Sequence, residues 1–374
     1  MKFQTLHKAA AASALALLTG IGARAGGPDL KTFVMATNGQ SNYSTSRQPD
    51  DVFFTFGGFG VGIPFTATID PTILASTGIS GTYRQTESAA VSSLTDSLTT
   101  SGSGNSGFGN WTFNGSTSTT VQYGQLKSES QATHNGNSDN ATVNSAESFA
   151  TVRDTFTPTS PTVANGTSGT MKIALTIDGS TSVTGTGGNG LLFRFGYSPN
   201  ASVTNPPSTL LETSAHIYGN GYQIYGPHSS FGSFVTPPGM TLNVGPLNGA
   251  GQPSFITFGG TTTVYATVPI VYGASVDYLM GLMTWTEVGN GNGVMSSKFG
   301  HTATITGIQL LDSGGTNVSN FSIASVSGTL YDANGVHLGG TAGAPEPTTL
   351  ALVVCGMAAG IVGVRRKRLL NGRM

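Results

Sequence analysis

"TMKIALTID", residues 170–178, sets Met171, Ile173, Leu175 and Ile177 at alternate positions, with Lys172, Ala174 and Thr176 between them. A period of two sends successive side chains to opposite faces of an extended strand, so one face is apolar and the other polar. The run ends at Asp178-Gly179, a pair that favours a tight hairpin turn. Outward from it the pattern recurs. "NGLLFRFGY" (189–197) is a strand rich in apolar and aromatic residues. "TTTVYATVPIVYG" (261–273) continues the alternation, and Pro269 within it points to a sheet edge or a strand break, having no N–H to donate. "HTATITGIQLLDSGG" (301–315) and "FSIASVSGTLYDANG" (321–335) each close in a turn, at Asp312–Gly315 and Asp332–Gly335. No long segment with a 3.6-residue period lies between 26 and 344, so the region is all-β.

Composition agrees with many short strands and tight turns. Charged residues are only 9% of the chain, against roughly 25% in ordinary soluble domains. Aromatic and β-branched residues stay plentiful, which excludes a disordered composition. The 374 residues suffice for one large β domain or two, each with a sizeable core. Residues 26–344 hold eight bases against sixteen acids, with no basic stripe, and this excludes a nucleic-acid partner. The single cysteine, Cys355, lies in an apolar tail, so the middle has neither an internal disulfide nor a thiolate for catalysis or metal binding.

Both ends carry export signals. Lys2 and Lys8 precede the apolar run Ala9–Leu18, and Ala23-Arg24-Ala25 matches the small-x-small site of a signal peptidase, with Gly26 opening the mature chain. Residues 1–25 are thus predicted to be a signal peptide. At the other end, Leu350–Val364 would form a helix of roughly 23 Å, short for a hydrocarbon core of about 30 Å. Arg365, Arg366, Lys367 and Arg368 then act as a stop signal that stays on the cytoplasmic side and leaves the preceding domain outside.

Pro345-Glu346-Pro347, an apolar helix over 348–364 and a terminal Arg/Lys cluster, taken in that order, resemble a PEP-CTERM sorting tail. Such tails also occur on ice-binding proteins. The resemblance covers roughly 344–370. It implies a bacterial host that makes exopolysaccharide and an exosortase that cuts near Pro345–Pro347. It also implies transient membrane anchorage, followed by release to the cell surface or the extracellular matrix. The two prolines forbid helix and hold the segment extended beside the membrane, where a protease can grip it.

"VPIVYGASVDYLMGLMTW" (268–285), "KFGHTATITGIQLLDSGG" (298–315) and "RDTFTPTSPTVANGTSGTMKIALTIDG" (153–179) likewise resemble the β domain that often precedes such tails. On that resemblance the expected architecture is one antiparallel β-sandwich, jelly-roll-like, over 26–344, with 26–75 an added N-terminal portion. Residues 157–169 read either as a linker or as a long loop between two strands. The stretch 84–150 holds the least apolar material, and tips such as "SGSGNSG" and "HNGNSDN" are expected to be mobile.

Few residues suggest chemistry. Gly185–Gly190 spells G-x-G-x-x-G, but a strand follows where a dinucleotide site needs a helix, so a glycine hairpin loop is expected. There is no G-x-S-x-G elbow, and His134, His216, His228, His301 and His337 are too scattered for a zinc pair. The aspartate turns at 312 and 332 lack the late Glu of a calcium loop. Thr-x-Thr steps at 66–68, 155–157 and 302–304 share no repeat period, unlike an ice-binding array. "HIYGNGYQIYGPHSSFGSF" (216–234) is the strongest candidate surface, with five aromatics and two histidines. Exposed, Tyr218, Tyr222 and Tyr225 would stack sugar rings; packed, they would pin a hairpin into the core.

The expectation is therefore an exported, non-enzymatic surface or exopolysaccharide-matrix protein, with no cofactor and no metal. Its partners would be exosortase and membrane during sorting, and exopolysaccharide afterwards. The alternative is a carbohydrate-binding module acting through 216–234.

Overall fold

The computed structural model describes residues 28–37, 81–106, 109–136, 144–198, 208–225 and 236–341. The cleavage site Ala23, Ala25 and Gly26, the sorting motif Pro345, Glu346 and Pro347, the 348–364 helix and the basic cluster Arg365–Arg368 lie outside those residues. So does most of the 26–75 portion.

Every regular element described is a strand: β1 (Asp29–Thr37), β2 (Gly81–Ser88), β3 (Ser93–Ser106), β4 (Gly109–Gln122), β5 (Gln125–Gly136), β6 (Asn144–Thr159), β7 (Ser168–Ser198) and β8 (Ser208–Tyr218). There follow β9 (Gly221–Tyr225), β10 (Met240–Val244), β11 (Ile256–Val271), β12 (Val276–Leu311), β13 (Asn317–Val318), β14 (Ser322–Ser325), β15 (Thr329–Asp332) and β16 (Gly335–Thr341). All pair antiparallel into one large sheet.

Its spine is the ladder between β7 and β12, which runs from Thr170↔Leu311 to Ser198↔Asp277. Each of these long strands changes neighbours midway. On its free side β7 pairs with β11 over Ser168–Val183 and with β8 over Gly188–Tyr197. Correspondingly, β12 pairs with β6 over Val276–Val288 and with β5 over Gly293–Thr304. The switch falls at the glycine-rich run 185–190, where the register slips between Val288 and Gly293 and the φ angles of Gly185 and Gly187 are 84° and 146°. Only glycine takes such angles without strain, so the run lets a strand bend without ending. The expected glycine hairpin is therefore a bend inside β7. Likewise Asp178-Gly179 makes no turn, because Asp178 pairs with both Thr261 and Thr302 and the chain is held extended from both sides. Tertiary pairing overrides the local turn preference.

The two halves of the sheet bury side chains together. Phe113, Leu126, Met171, Ile173 and Leu175 from one half share a single buried core with Val152, Phe193, Phe195, Tyr278 and Met280 from the other. Strand β11 alternates buried and exposed along its length, as its sequence pattern requires. Its Pro269 pairs with Thr170 beyond the reach of β10, on the edge its missing donor demands.

The polar stretch 84–150 is more regular than its composition suggests, since β3, β4 and β5 are long strands with alternating burial. Hydroxyls replace apolar contacts there. Ser128 Oγ lies 2.6 Å from Ser148 Oγ and 2.9 Å from Thr284 Oγ1, and Ser130 Oγ donates to the Thr284 carbonyl at 3.1 Å. All four residues are fully buried, so this seam between the halves is satisfied by its own partners. Residues 160–167 form the connection between β6 and β7. Asp312 and Asp332 cap the two expected turns, accepting from the Gly314 and Asn334 N–H groups.

Candidate functional site

Strands β8 and β9 form a hairpin around the two-residue turn Gly219-Asn220. Ile217 pairs with Tyr222 and Ala215 with Ile224, and Ile217 and Ile224 are buried in the core. Tyr222 therefore belongs to the core-facing side, at its open end, and is 43% exposed. Tyr218 is one residue out of phase and lies on the other face, 6.5 Å from the His216 ring. The two tyrosines do not form a common platform. Tyr225 is opposite Ser214 in register, but its side chain, with residues 226–234, lies outside the described set.

On the face of Tyr218, the His216 ring meets the edge of Trp285 at 4.8 Å. Trp285 in turn lies over Gly190, where a Cβ would come within 2.1 Å of the indole. Only 9% of His216 is exposed, and burial pushes its pKa down to about 4, because the imidazolium would lose its water. The same face carries two partly buried ion pairs. Arg194 Nε donates to Glu212 Oε2 at 2.8 Å, and Arg153 Nη2 donates to Asp277 Oδ2 at 3.0 Å. Thr155 adds a hydroxyl donor to Asp277 at 2.8 Å.

On the core side, Asp154 is buried beneath the β14–β15 turn. It accepts from the Thr155 and Ser327 N–H groups at 2.8 and 3.1 Å, and from the Tyr331 hydroxyl at 3.4 Å. Tyr331 meets the Tyr278 hydroxyl at 2.7 Å. Desolvation raises the Asp154 pKa above the usual carboxylate value, while its hydrogen bonds to Ser327 and Thr155 oppose the rise. No spacing in the sequence marks Asp154, Tyr278 and Tyr331 as neighbours.

A second feature lies on the outward face of β3, β4 and β5. Cross-strand register builds ranks of small polar side chains: Thr99, Ser116 and Gln131 form one, and Ser101, Asn114 and Thr133 the next. Between these ranks is a hollow of about 440 Å³, lined by those six residues together with Thr100, Gly115 and Ala132. All six are exposed or half-buried. Individually they look like ordinary strand residues, and only the register gathers them.

Of the remaining sequence candidates, His228 and Thr66–Thr68 lie outside the described residues, as do the side chains of His301, Thr302 and His337, and the others are structural. His134 is buried and donates through Nδ1 to the Gly291 carbonyl at 2.6 Å. Thr157 bonds Ser275 at 3.0 Å, and Thr304 accepts from Gln125 at 3.3 Å. Among the described residues, no group of three His, Cys, Asp or Glu is gathered as metal ligands would be.

Compared with known proteins, the sequence matches no family profile and no curated protein. Among solved structures, a family 12 xyloglucanase from Bacillus licheniformis in complex with ligand aligns over 63% of this chain and 100% of its own, at 11% identity. Its TM-score is 0.16, too slight a likeness to bring fold or chemistry to this chain.

Proposed function

We propose that this is an exported bacterial surface or exopolysaccharide-matrix protein, without catalysis of its own, sorted and processed through its Pro345–Pro347 tail. The two halves of the bent sheet would be the layers of a jelly-roll-like sandwich, released outside the cell once the tail is cut. The observation that carries the reading is the body itself: a large antiparallel sheet that presents neutral hydroxyl and amide ranks outward over one continuous core. Such a surface is made for contact with water and neutral polymers, and the terminal segments supply the route to it. Cell fractionation tests the route. Deleting Pro345–Pro347 should leave the protein in the membrane, while the intact chain reaches the surface lacking Leu350–Met374. Identical fractionation of the two forms would refute the sorting role.

A second reading keeps the 216–234 segment as a sugar contact, favoured by the exposure of Tyr222 at the tip of the β8–β9 hairpin. Tyr222→Ala should then abolish retention on a glycan array; unchanged retention removes the segment from consideration.

A further inference from the structure

We infer that the hollow across β3, β4 and β5 is a binding site for a neutral polysaccharide, a polyhydroxylated chain without carboxylate or phosphate groups. Three observations lead there, and none of them depends on export or on the tail.

First, the hydrogen-bonding groups around the hollow are uncommitted. Elsewhere on this outward surface side chains satisfy one another: Thr95 with Thr120 at 3.1 Å, Thr176 with Thr263 at 3.1 Å and with Thr306 at 2.8 Å, and Thr261 with Asp178 at 2.6 Å. Within the described residues, the six side chains that wall the hollow make no such bond. Thr95–Thr120 sits on the same strands, only a few residues away, so the difference is local. Asn114 and Gln131 each bring a donor and an acceptor at one end, and the four hydroxyls do both from one atom, which is the complement a sugar hydroxyl needs.

Second, no charge lines the hollow among the described residues. A uronate or phosphate group would find no cation there to strengthen its hydrogen bonds, so the walls favour neutral chains over polyanions. The adjacent rank sets Glu129 opposite Lys298, so the nearest charges are of opposite sign. Nor is there a large apolar side chain among the described lining residues, which removes the usual anchor of a peptide or a lipid.

Third, the dimensions fit. Neighbouring strands lie about 4.8 Å apart, and residues two apart on one strand about 7 Å apart. A trough running across the strands therefore offers one polar pair per strand: Thr99 with Ser101, Ser116 with Asn114, Gln131 with Thr133. An extended glycan advances by roughly one strand spacing per ring, so consecutive rings meet consecutive pairs. A hollow walled by carboxamides suits such a chain better than it suits the flat surface of ice, which calls for threonine methyls in one plane.

Affinity electrophoresis of the purified full-length protein in mild detergent tests this, with hydroxyethylcellulose, dextran, galactomannan or alginate cast into the gel. At least one neutral polymer should retard the protein. Asn114→Ala with Gln131→Ala should weaken that retardation about tenfold, two neutral hydrogen bonds being lost, and leave the urea midpoint unchanged. Ser116→Tyr, which fills the hollow, should do the same, while Tyr222→Ala should have no effect. The inference is overturned if no neutral polymer retards the protein, if alginate alone does, if the hollow variants bind as well as wild type, or if Tyr222→Ala alone removes binding. Freezing-point hysteresis that disappears in the hollow variants would likewise overturn it, assigning the face to ice.

Discussion

Acid should unfold this protein partly through one imidazole. His216 is nine-tenths buried against Trp285, with its pKa pushed down to about 4, whereas an exposed histidine titrates near 6.5. The folded state therefore binds fewer protons than the unfolded one between those values, and stability must fall as pH drops through that window. A separation of roughly 2.5 pK units corresponds to about 3 kcal/mol once both states are protonated, of which about 2 kcal/mol is already lost between pH 7 and pH 5. Replacing His216 with Gln removes the titrating group while leaving a polar side chain of similar reach. Urea unfolding followed by circular dichroism at pH 7 and pH 5 gives the comparison directly. The wild type should lose about 2 kcal/mol more than His216→Gln across that interval. The difference between the two proteins isolates this group, since every other titration is common to both. Equal losses would show that the ring is already protonated in the fold, or so hydrated that burial does not act on it.

The neighbouring groups yield further expectations. Arg194→Met removes the ion-pair partner of the half-buried Glu212 carboxylate and should cost about 1.5–3 kcal/mol in denaturant unfolding, part of it regained when Glu212 is also made Leu; an additive double variant would contradict this. Gly190→Ala places a methyl where the Trp285 ring lies, so about 1–3 kcal/mol should be lost, together with a shift in tryptophan emission. Asp154 acts with the opposite sign to His216. Because burial raises its pKa, its contribution is fully present below the ordinary carboxylate value and declines as pH rises through the folded one. Asp154→Asn should therefore flatten the fall of the urea midpoint on the alkaline side of that range, and an unchanged slope would refute the assignment.

How much of this was legible beforehand can be judged strand by strand. Alternation at Met171, Ile173, Leu175 and Ile177 predicted a buried face, and all four are fully buried. The edge position of Pro269 and the turns at Asp312 and Asp332 were equally readable, because each rests on a local property: a missing donor, or a short carboxylate capping its own turn. Asp178-Gly179 and the 185–190 glycines were misread for the complementary reason. Their local preference is a turn, but β11 and β12 hold one extended and the ladder only bends at the other.

The sites divide the same way. Tyr218 and Tyr222 were visible as an aromatic cluster, yet their faces depend on the pairing Ile217↔Tyr222, and a one-residue difference in phase sends them to opposite sides. The seam of Ser128, Ser130, Ser148 and Thr284 joins residues up to 156 positions apart, so no sequence window contains it. The hollow of β3–β5 is made of serines, threonines and amides that are unremarkable one at a time; cross-strand register alone ranks them around a common space. By itself, then, the sequence determined that the chain is all-β and, for apolar strands such as 170–178 and 261–271, which face is buried, because those follow from a period of two. The polar strands β3–β5 carry no such apolar signal. Which polar residues meet, and which of them are left with free hydrogen-bonding groups, was decided only by the tertiary structure, since register and sheet bending are set by contacts between distant segments.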